Sequence, residues 1–245
     1  MAAKANTKIR LLVDAALGAE APVALSREQA HYLRDVMRRT AGDGVILFNG
    51  RDGEWRAELA ELERKTATAR CIEQLRPQAP GSDLWLLFAP VKKARLDIIV
   101  EKAVELGVSR LQPVITRHTD VERVKTARLA AQVREAAEQC ERLTVPDVMD
   151  PVALTDALSS WPAERPLLFA DEAGGAPALA ALQGMAGEAA AVLIGPEGGF
   201  APEERQAVTA LPQTVRLSLG PRILRAETAV IAMLTLWQAA RGDWR

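Results

Sequence analysis

The stretch Val192-Leu-Ile-Gly-Pro-Glu-Gly-Gly-Phe200 decides how the second half of the chain is read. An apolar run stops at Gly195, and Pro196 has no N–H with which to continue a strand ladder. An acid, two more glycines and a phenylalanine follow. The same event recurs downstream, where the run 215–219 enters Gly220-Pro-Arg-Ile-Leu-Arg225. Most Gly-Pro and Gly-Gly pairs are plain turns. Two apolar strands with such bare ends are a different matter, because ligands of open α/β sheets bind beyond the carboxyl ends of strands. Two bare loops there can offer backbone N–H and C=O groups to one flat ligand.

Outward from these bends, the pattern alternates. Apolar runs at 84–89, 111–115, 167–170, 191–194 and 215–219 suit strands buried on both faces. Between them, residues such as Leu96, Ile99, Val100, Ala103 and Leu106 fall at helical spacing, with Gly107 placed to stop the helix. Strand alternating with helix predicts an α/β domain with a mostly parallel sheet over 77–245. The turn-rich stretch 77–83 is the linker candidate. Before it, 45–48 and 54–59 flank Asn49-Gly-Arg-Asp-Gly53 as a hairpin, and 67–75 is a further strand. Ser26 with Gln29 resembles a capping box for a helix over 27–38. Residues 1–76 therefore read as a small, mostly β domain. The helical segment 226–240 is apolar on almost every side, which calls for burial on most faces. A subunit interface and the centre of a monomeric core both meet that need, and Trp237 reads as packing.

Composition narrows the class. The chain has 245 residues, 49% hydrophobic and 26% charged, so it can build a real core. Lys plus Arg is 31 against 32 for Asp plus Glu, and net charge points to no polyanionic partner. Residues 1–76 are slightly basic, 13 against 11. Two cysteines without a CxxC exclude a disulfide framework and a zinc knuckle, and two histidines argue against a His-rich metal site. The opening MAAKANTKIR lacks the apolar core of a signal peptide, and the longest apolar segment, 229–236, is too short to span a bilayer. The expectation is a cytoplasmic protein with no membrane association and no metal.

Familiar nucleotide loops do not fit the bends. A dinucleotide fingerprint needs glycine where Glu197 and Phe200 stand, and no Gly-Lys-Ser/Thr is present. Glu197 and Glu227 would repel a triphosphate, so a neutral base or a cationic ligand fits better. IGPEGGF at 194–200 with LGPRILRAETA at 219–229 resembles the S-adenosylmethionine site of the SPOUT methyltransferases, and more closely the 16S ribosomal RNA uridine N3-methyltransferase family. HYLRDVMRRTAGDG at 31–44 is similar to that family's amino-terminal PUA-like RNA-binding barrel. KKARLDIIVEKAVELGV at 92–108 and EQCERLTVP at 138–146 are similar to its other signatures. The chain departs from the family at Leu11-Leu12, where paired Phe is usual, and at Arg117-His118-Thr119, where Arg-Ser is usual.

The resemblance implies a trefoil-knotted SPOUT domain after a PUA-like barrel, a homodimer, and S-adenosylmethionine as cofactor. It implies methylation of uridine N3 in 16S ribosomal RNA of the small ribosomal subunit. Ribose 2′-O-methylation and a non-catalytic RNA-binding assembly factor are the alternatives. On the first bend, Ile194, Gly195, Pro196, Glu197, Gly198 and Gly199 become cofactor candidates. On the second they are Leu217, Leu219, Gly220, Ile223, Leu224 and Arg225, continued by Glu227, Thr228 and Ala229. Leu168 and Ala170 join them from the strand at 167–170. Arg225, then Arg222, are the candidates for contacting substrate or stabilising charge on the uracil oxygens; a phosphate-contacting or surface role is equally open. Glu197 can orient the cofactor or cap the next helix. The proton acceptor can be water or hydroxide. RNA contacts are expected from Arg10, Arg34, Arg38 and Arg39, with Arg34 and Arg38 on one helix face, and from Lys92, Lys93 and Arg117. His118 is a further RNA-contact candidate, and His31 reads as structural.

Overall fold

The computed structural model describes residues 8–121 and 123–244. The opening MAAKANT, read above for a targeting signal, lies outside them. The described chain forms two compact units. The first takes residues up to 80 and, in addition, 137–145; the second takes 81–136 and everything from 146 on. The segment 137–145 lies inside the span expected to belong wholly to the second domain.

The first unit is a five-stranded sheet ordered β1-β3-β4-β5-β2. Its strands are β1 (Arg10–Leu12), β2 (Pro22–Leu25), β3 (Gly44–Phe48), β4 (Glu54–Leu62) and β5 (Ala67–Arg76). Only β1 and β3 pair in parallel; the other neighbours are antiparallel. Leu11 of the edge strand β1 and Val23 and Leu25 of the other edge, β2, share one buried core with Val45, Leu47, Leu59 and Ala69. The sheet therefore wraps a single apolar centre. The β3–β4 hairpin forms where Asn49 Oδ1 accepts from the Arg51 and Asp52 amides, folding the turn. The helix α1 (Arg27–His31) starts with a reciprocal capping box between Ser26 and Gln29. It does not run on to residue 38 as expected. Its chain widens into a π-turn over Tyr32–Val36, and Arg38 takes a left-handed φ of 53°. The i, i+4 face that would align Arg34 with Arg38 does not form.

The second unit is an all-parallel eight-stranded sheet covered on both faces. In chain order it comprises β6 (Leu84–Phe88), α2 (Lys93–Glu105), β7 (Arg110–Ile115), α3 (Thr126–Gln139), β8 (Asp147–Val148) and β9 (Val152–Ala153). Then come α4 (Leu154–Ser159), β10 (Leu167–Ala170), β11 (Ala176–Pro177), α5 (Ala178–Gly184) and β12 (Ala190–Ile194). The chain closes with α6 (Pro202–Ala210), β13 (Thr214–Ser218) and α7 (Ala226–Ala240). The last turn of α3 belongs to the first unit. Strand order is β11-β13-β10-β12-β6-β7-β8, with β9 on β7. The central strands β6 and β12 are unbroken apolar runs because both of their faces are covered. On one face α7 packs between α2 and α5; on the other α4 packs with α6. The stripe Ala226, Val230, Met233, Leu234, Trp237 and Gln238 is the buried side of α7. Its other side, with Ile231 and Leu236, is only half-buried. Among the described residues, no helix is long and apolar enough to cross a membrane.

Candidate functional site

The two glycine-proline bends do not follow neighbouring strands. β10 lies between β12 and β13, so three strand ends meet. The end of β10 supplies Asp171 to Gly175, β12 supplies Gly195 to Gly199, and β13 supplies Leu219 to Leu224. A cleft of about 300 Å³ opens between residues 170–174, 218–224 and Ala229 of α7. That is the lower end of the range for small-molecule sites. Its wall consists largely of backbone and small side chains, with Gly174 and Gly220 both at positive φ.

One buried carboxylate shapes this wall. Asp171, whose side chain is 1% exposed, accepts from Arg205 Nε and Nη2, from Arg216 Nε at 2.8 Å and from the Ala173 amide at 3.0 Å. Arg216 also donates to the Gly174 carbonyl at 2.9 Å. The loop 171–174 is thereby pinned at both ends. Burial pushes the Asp171 carboxyl up, but the bonds from Arg205, Arg216 and Ala173 outweigh it, leaving it below its ordinary value. At Gly175 the chain passes so close to β13 that an added Cβ would lie 2.6 Å from the Arg216 carbonyl.

The 195–199 bend leans on the same wall. An added Cβ on Gly199 would lie 2.7 Å from a Glu172 carboxylate oxygen, and one on Gly195 would lie 2.6 Å from the Phe200 ring. Phe200 is held edge-on against Phe169 of β10, with centroids 5.4 Å apart. From the β7 end, the His118 Nδ1 and the Gly199 carbonyl form a 3.0 Å hydrogen bond. Arg95 of α2 joins the two bends: it pairs with Glu197 on the first and lies 3.8 Å from Glu227, just past the second. Glu227 Oε2 is buried and has no hydrogen-bond partner among the described residues.

The cleft gathers Ala170, Leu219, Gly220, Arg222, Ile223, Leu224 and Ala229 of the expected residues. Gly195, Pro196, Glu197, Gly198 and Gly199 form the neighbouring bend rather than the cleft wall. Arg225 is the N-terminal flanking residue of α7, and Arg225, Thr228 and Arg222 are exposed. Neither the Arg222 nor the Arg225 side chain has a hydrogen bond or ion pair among the described residues. Leu168, Ile194 and Leu217 are buried strand residues and do not line the cleft, so they support it from within the sheet. The sequence reading missed Asp171, Glu172, Ala173, Gly174, Ser218 and Pro221. Ala170-Asp-Glu-Ala-Gly-Gly175 carried the signal: a third apolar strand ending in acids and paired glycines.

The basic residues sort differently from the expectation. Arg10 is no surface contact. Its side chain is 4% exposed, donates to Glu54 at 2.8 Å and to the Ala137 and Arg142 carbonyls at 2.6 Å each, and stacks 3.5 Å over the Phe48 ring. All its partners lie inside the first unit, so it fastens 137–145 to β1 instead of reaching RNA. Burial pulls its pKa below the ordinary guanidinium value, against the opposing pull of Glu54. Arg34 is paired with Asp35. Arg38 is exposed and unpaired among the described residues, and the buried Nε of Arg39 has no partner there. Lys92 and Lys93 are exposed at the start of α2. Arg117 is exposed but engaged by Glu203 and, through its amide, by Glu204. Among the described residues, no cluster of His, Cys, Asp and Glu could hold a metal ion.

Known proteins share this architecture along almost the full chain. A family model for an RNA methyltransferase domain matches residues 77–238, and one for an RNA methyltransferase PUA domain matches 25–71. The ribosomal RNA small subunit methyltransferase E of Rickettsia conorii is 32% identical, covering 92% of this chain and 93% of its own. That of Synechocystis is 33% identical over 90% of this chain and 74% of its own. The crystal structure of the Neisseria gonorrhoeae ribosomal RNA small subunit methyltransferase E bound to S-adenosyl methionine is 29% identical. It aligns with a TM-score of 0.85 over 97% of this chain and 99% of its own. A Legionella pneumophila structure with bound cofactor SAM aligns with a TM-score of 0.83 at 28% identity, over 95% and 97%. With both domains matched and a relative 32% identical over 92% of the chain, this chain belongs to the ribosomal RNA small subunit methyltransferase E family.

Proposed function

We propose that the protein transfers the methyl group of S-adenosylmethionine to N3 of a uridine in 16S ribosomal RNA. The observation that carries this reading is the cleft between residues 170–174 and 218–224, whose walls suit that cofactor. Bare backbone at Gly174 and Gly220 leaves room for a flat base edge to meet amides and carbonyls. The carboxylates of Glu172, Glu197 and Glu227 stand around the bends, and the unpartnered Glu227 Oε2 suits a cationic group. When bound, the cofactor supplies an electrophilic methyl on a sulfonium.

The chain's own task is chiefly positioning. The pinned 171–174 loop and the 195–199 bend orient the cofactor, while Arg222 lines the cleft and Arg225 stands where α7 begins, their side chains unpaired among the described residues. Loss of the N3 proton spreads negative charge onto the uracil oxygens, and a fixed guanidinium at that point stabilises it. Arg225, placed where α7 begins, is assigned that role, with Arg222 from the second bend. Arg38, Arg39, Lys92 and Lys93 are assigned to the RNA backbone. The half-buried side of α7, with Ile231 and Leu236, suits a homodimer interface. A ribosome-modifying role places the protein in the cytoplasm.

The test is methyl transfer to small ribosomal subunits lacking the modification, followed by digestion to nucleosides and mass spectrometry. A base-methylated 3-methyluridine is expected. A 2′-O-methylated nucleoside would place the chemistry on the ribose instead, and absence of any cofactor-binding heat by calorimetry would remove the enzymatic reading.

A further inference from the structure

A second groove opens beside the starts of β6 and β7, strands that do not contribute to the cleft. It measures about 460 Å³ and is lined by Trp85, Arg110, Gln112, Asp156, Ser160 and Trp161 among others. Trp85 near the start of β6 is in register with Arg110, the first residue of β7. The Arg110 guanidinium lies 4.1 Å over the Trp85 ring, and that of Arg165 lies 3.8 Å over it. The two arginines differ in what else they do. Arg165 is committed: it binds the Asp83 carboxylate at 2.6 Å and the Asp83 and Ala190 carbonyls. The Arg110 side chain has no hydrogen bond or ion pair among the described residues, and its Nε is buried without a partner. A buried charged donor left unmade is destabilising. An unpaired arginine held over an indole beside an open groove is a receptor for an anion.

The other wall is aromatic. Trp161 stands edge-on to Trp85, with centroids 6.4 Å apart at 75°. Its Nε1 donates to the Arg165 carbonyl at 2.8 Å, which fixes the ring in place. A preset indole beside an unsatisfied guanidinium matches a nucleotide: a planar base for one, a phosphate for the other. Asp156 at the groove disfavours a multiply charged phosphate. A singly charged phosphodiester within a strand meets less repulsion than a free nucleoside triphosphate. We propose that this groove holds one unstacked nucleotide of single-stranded RNA, its phosphodiester on the Arg110 guanidinium and its base against Trp161. The assignment rests on the RNA methyltransferase reading and adds an anchoring point distinct from the methyl-transfer cleft.

The test uses the full chain, a fluorescent ten-nucleotide single-stranded oligoribonucleotide and its 4-thiouridine-substituted form. Arg110→Gln removes the anion receptor, and Ser160→Trp fills the groove while leaving Arg110 in place. Each variant is expected to raise the oligonucleotide Kd about three- to tenfold. Arg110→Gln should also flatten the log Kd against log salt slope by about 0.7, one phosphate contact on a single strand. S-adenosylmethionine affinity by calorimetry should stay at the wild-type value in both. Photocrosslinks should map to peptides carrying Arg110 or Trp161 and fade in both variants. Wild-type RNA affinity and slope in both variants, or crosslinks mapping elsewhere, overturn the groove while the cofactor and enzymatic reading stands. A wild-type protein that binds cofactor but no RNA sinks the groove and the RNA-substrate reading together.

Discussion

Replacing Arg10 with alanine separates a structural arginine from an RNA contact. Arg10 and Glu54 expose only 4% and 8% of their side chains. Removing one member of a buried pair costs about 3–5 kcal/mol, because the other is left uncompensated. Arg76 still pairs with Glu54 in the variant, which argues for the lower end of that range. The Ala137 and Arg142 carbonyls also lose charged donors, but water entering the space left by the side chain makes up most of that loss. The net expectation is about 3–4 kcal/mol, concentrated where 137–145 meets β1. Hydrogen exchange followed by mass spectrometry reads that region directly. Peptides covering residues 9–13 and 137–145 should exchange roughly two to nine hundredfold faster, since 1.36 kcal/mol is a factor of ten. Arg10→Lys should recover little, because one compact ammonium cannot serve three acceptors in a fork. If protection is unchanged and the salt dependence of RNA binding flattens instead, Arg10 is a phosphate contact and the burial argument is wrong.

Two further outcomes test the cleft itself. Asp171→Asn leaves Arg205 and Arg216 without their shared carboxylate; both are partly exposed, so the expected loss is about 2 kcal/mol, with weaker S-adenosylmethionine binding by calorimetry. The folded Asp171 titrates below its ordinary value, so its contribution is complete above that ordinary value and disappears as pH falls through the lowered one. Melting curves should therefore show no Asp171-linked change between about pH 5 and 8, and the variant should lose part of the wild-type acid sensitivity; identical acid profiles would contradict the pinned-loop account. Gly195→Ala drives a methyl to 2.6 Å from the Phe200 ring and should cost about 1–3 kcal/mol in a thermal melt, whereas Gly198→Ala, 3.2 Å from His118 Cβ, should cost less; equal losses would mean that the bend relaxes freely.

Local features of the fold were legible because their causes are local. β6 and β12 announce burial on both faces by being apolar throughout, and Ser26 and Gln29 cap α1 from three residues apart. The glycine-proline bends were legible as bare strand ends for the same reason. Nothing local says that β10, earlier in the chain than both, inserts between β12 and β13. That insertion makes Asp171 and Glu172 part of the site. The helix expected over 27–38 had the right start but no sequence signal for the π-turn, and the supposed alignment of Arg34 with Arg38 was lost with it.

Charge was the least legible property, and the reason is physical. A sequence counts arginines but does not show which have carboxylates or carbonyls waiting for them. Arg10 finds its acceptors 44, 127 and 132 residues away, and Asp171 collects Arg205 and Arg216 from 34 and 45 residues away. These cations are consumed internally and add little to the field outside. The arginines left over are a different set: Arg38 on a left-handed turn, Arg222 at the cleft, Arg225 at the start of α7, and Arg110 over Trp85. A near-neutral chain can therefore offer RNA a few unpaired guanidiniums, each able to act as a phosphate or base-edge contact. Recognition built that way depends on where the free guanidiniums stand. It predicts large losses from single substitutions at Arg225 or Arg110 and small ones from the paired Arg34 or Arg117, a ranking that the basic count of either half of the chain does not contain.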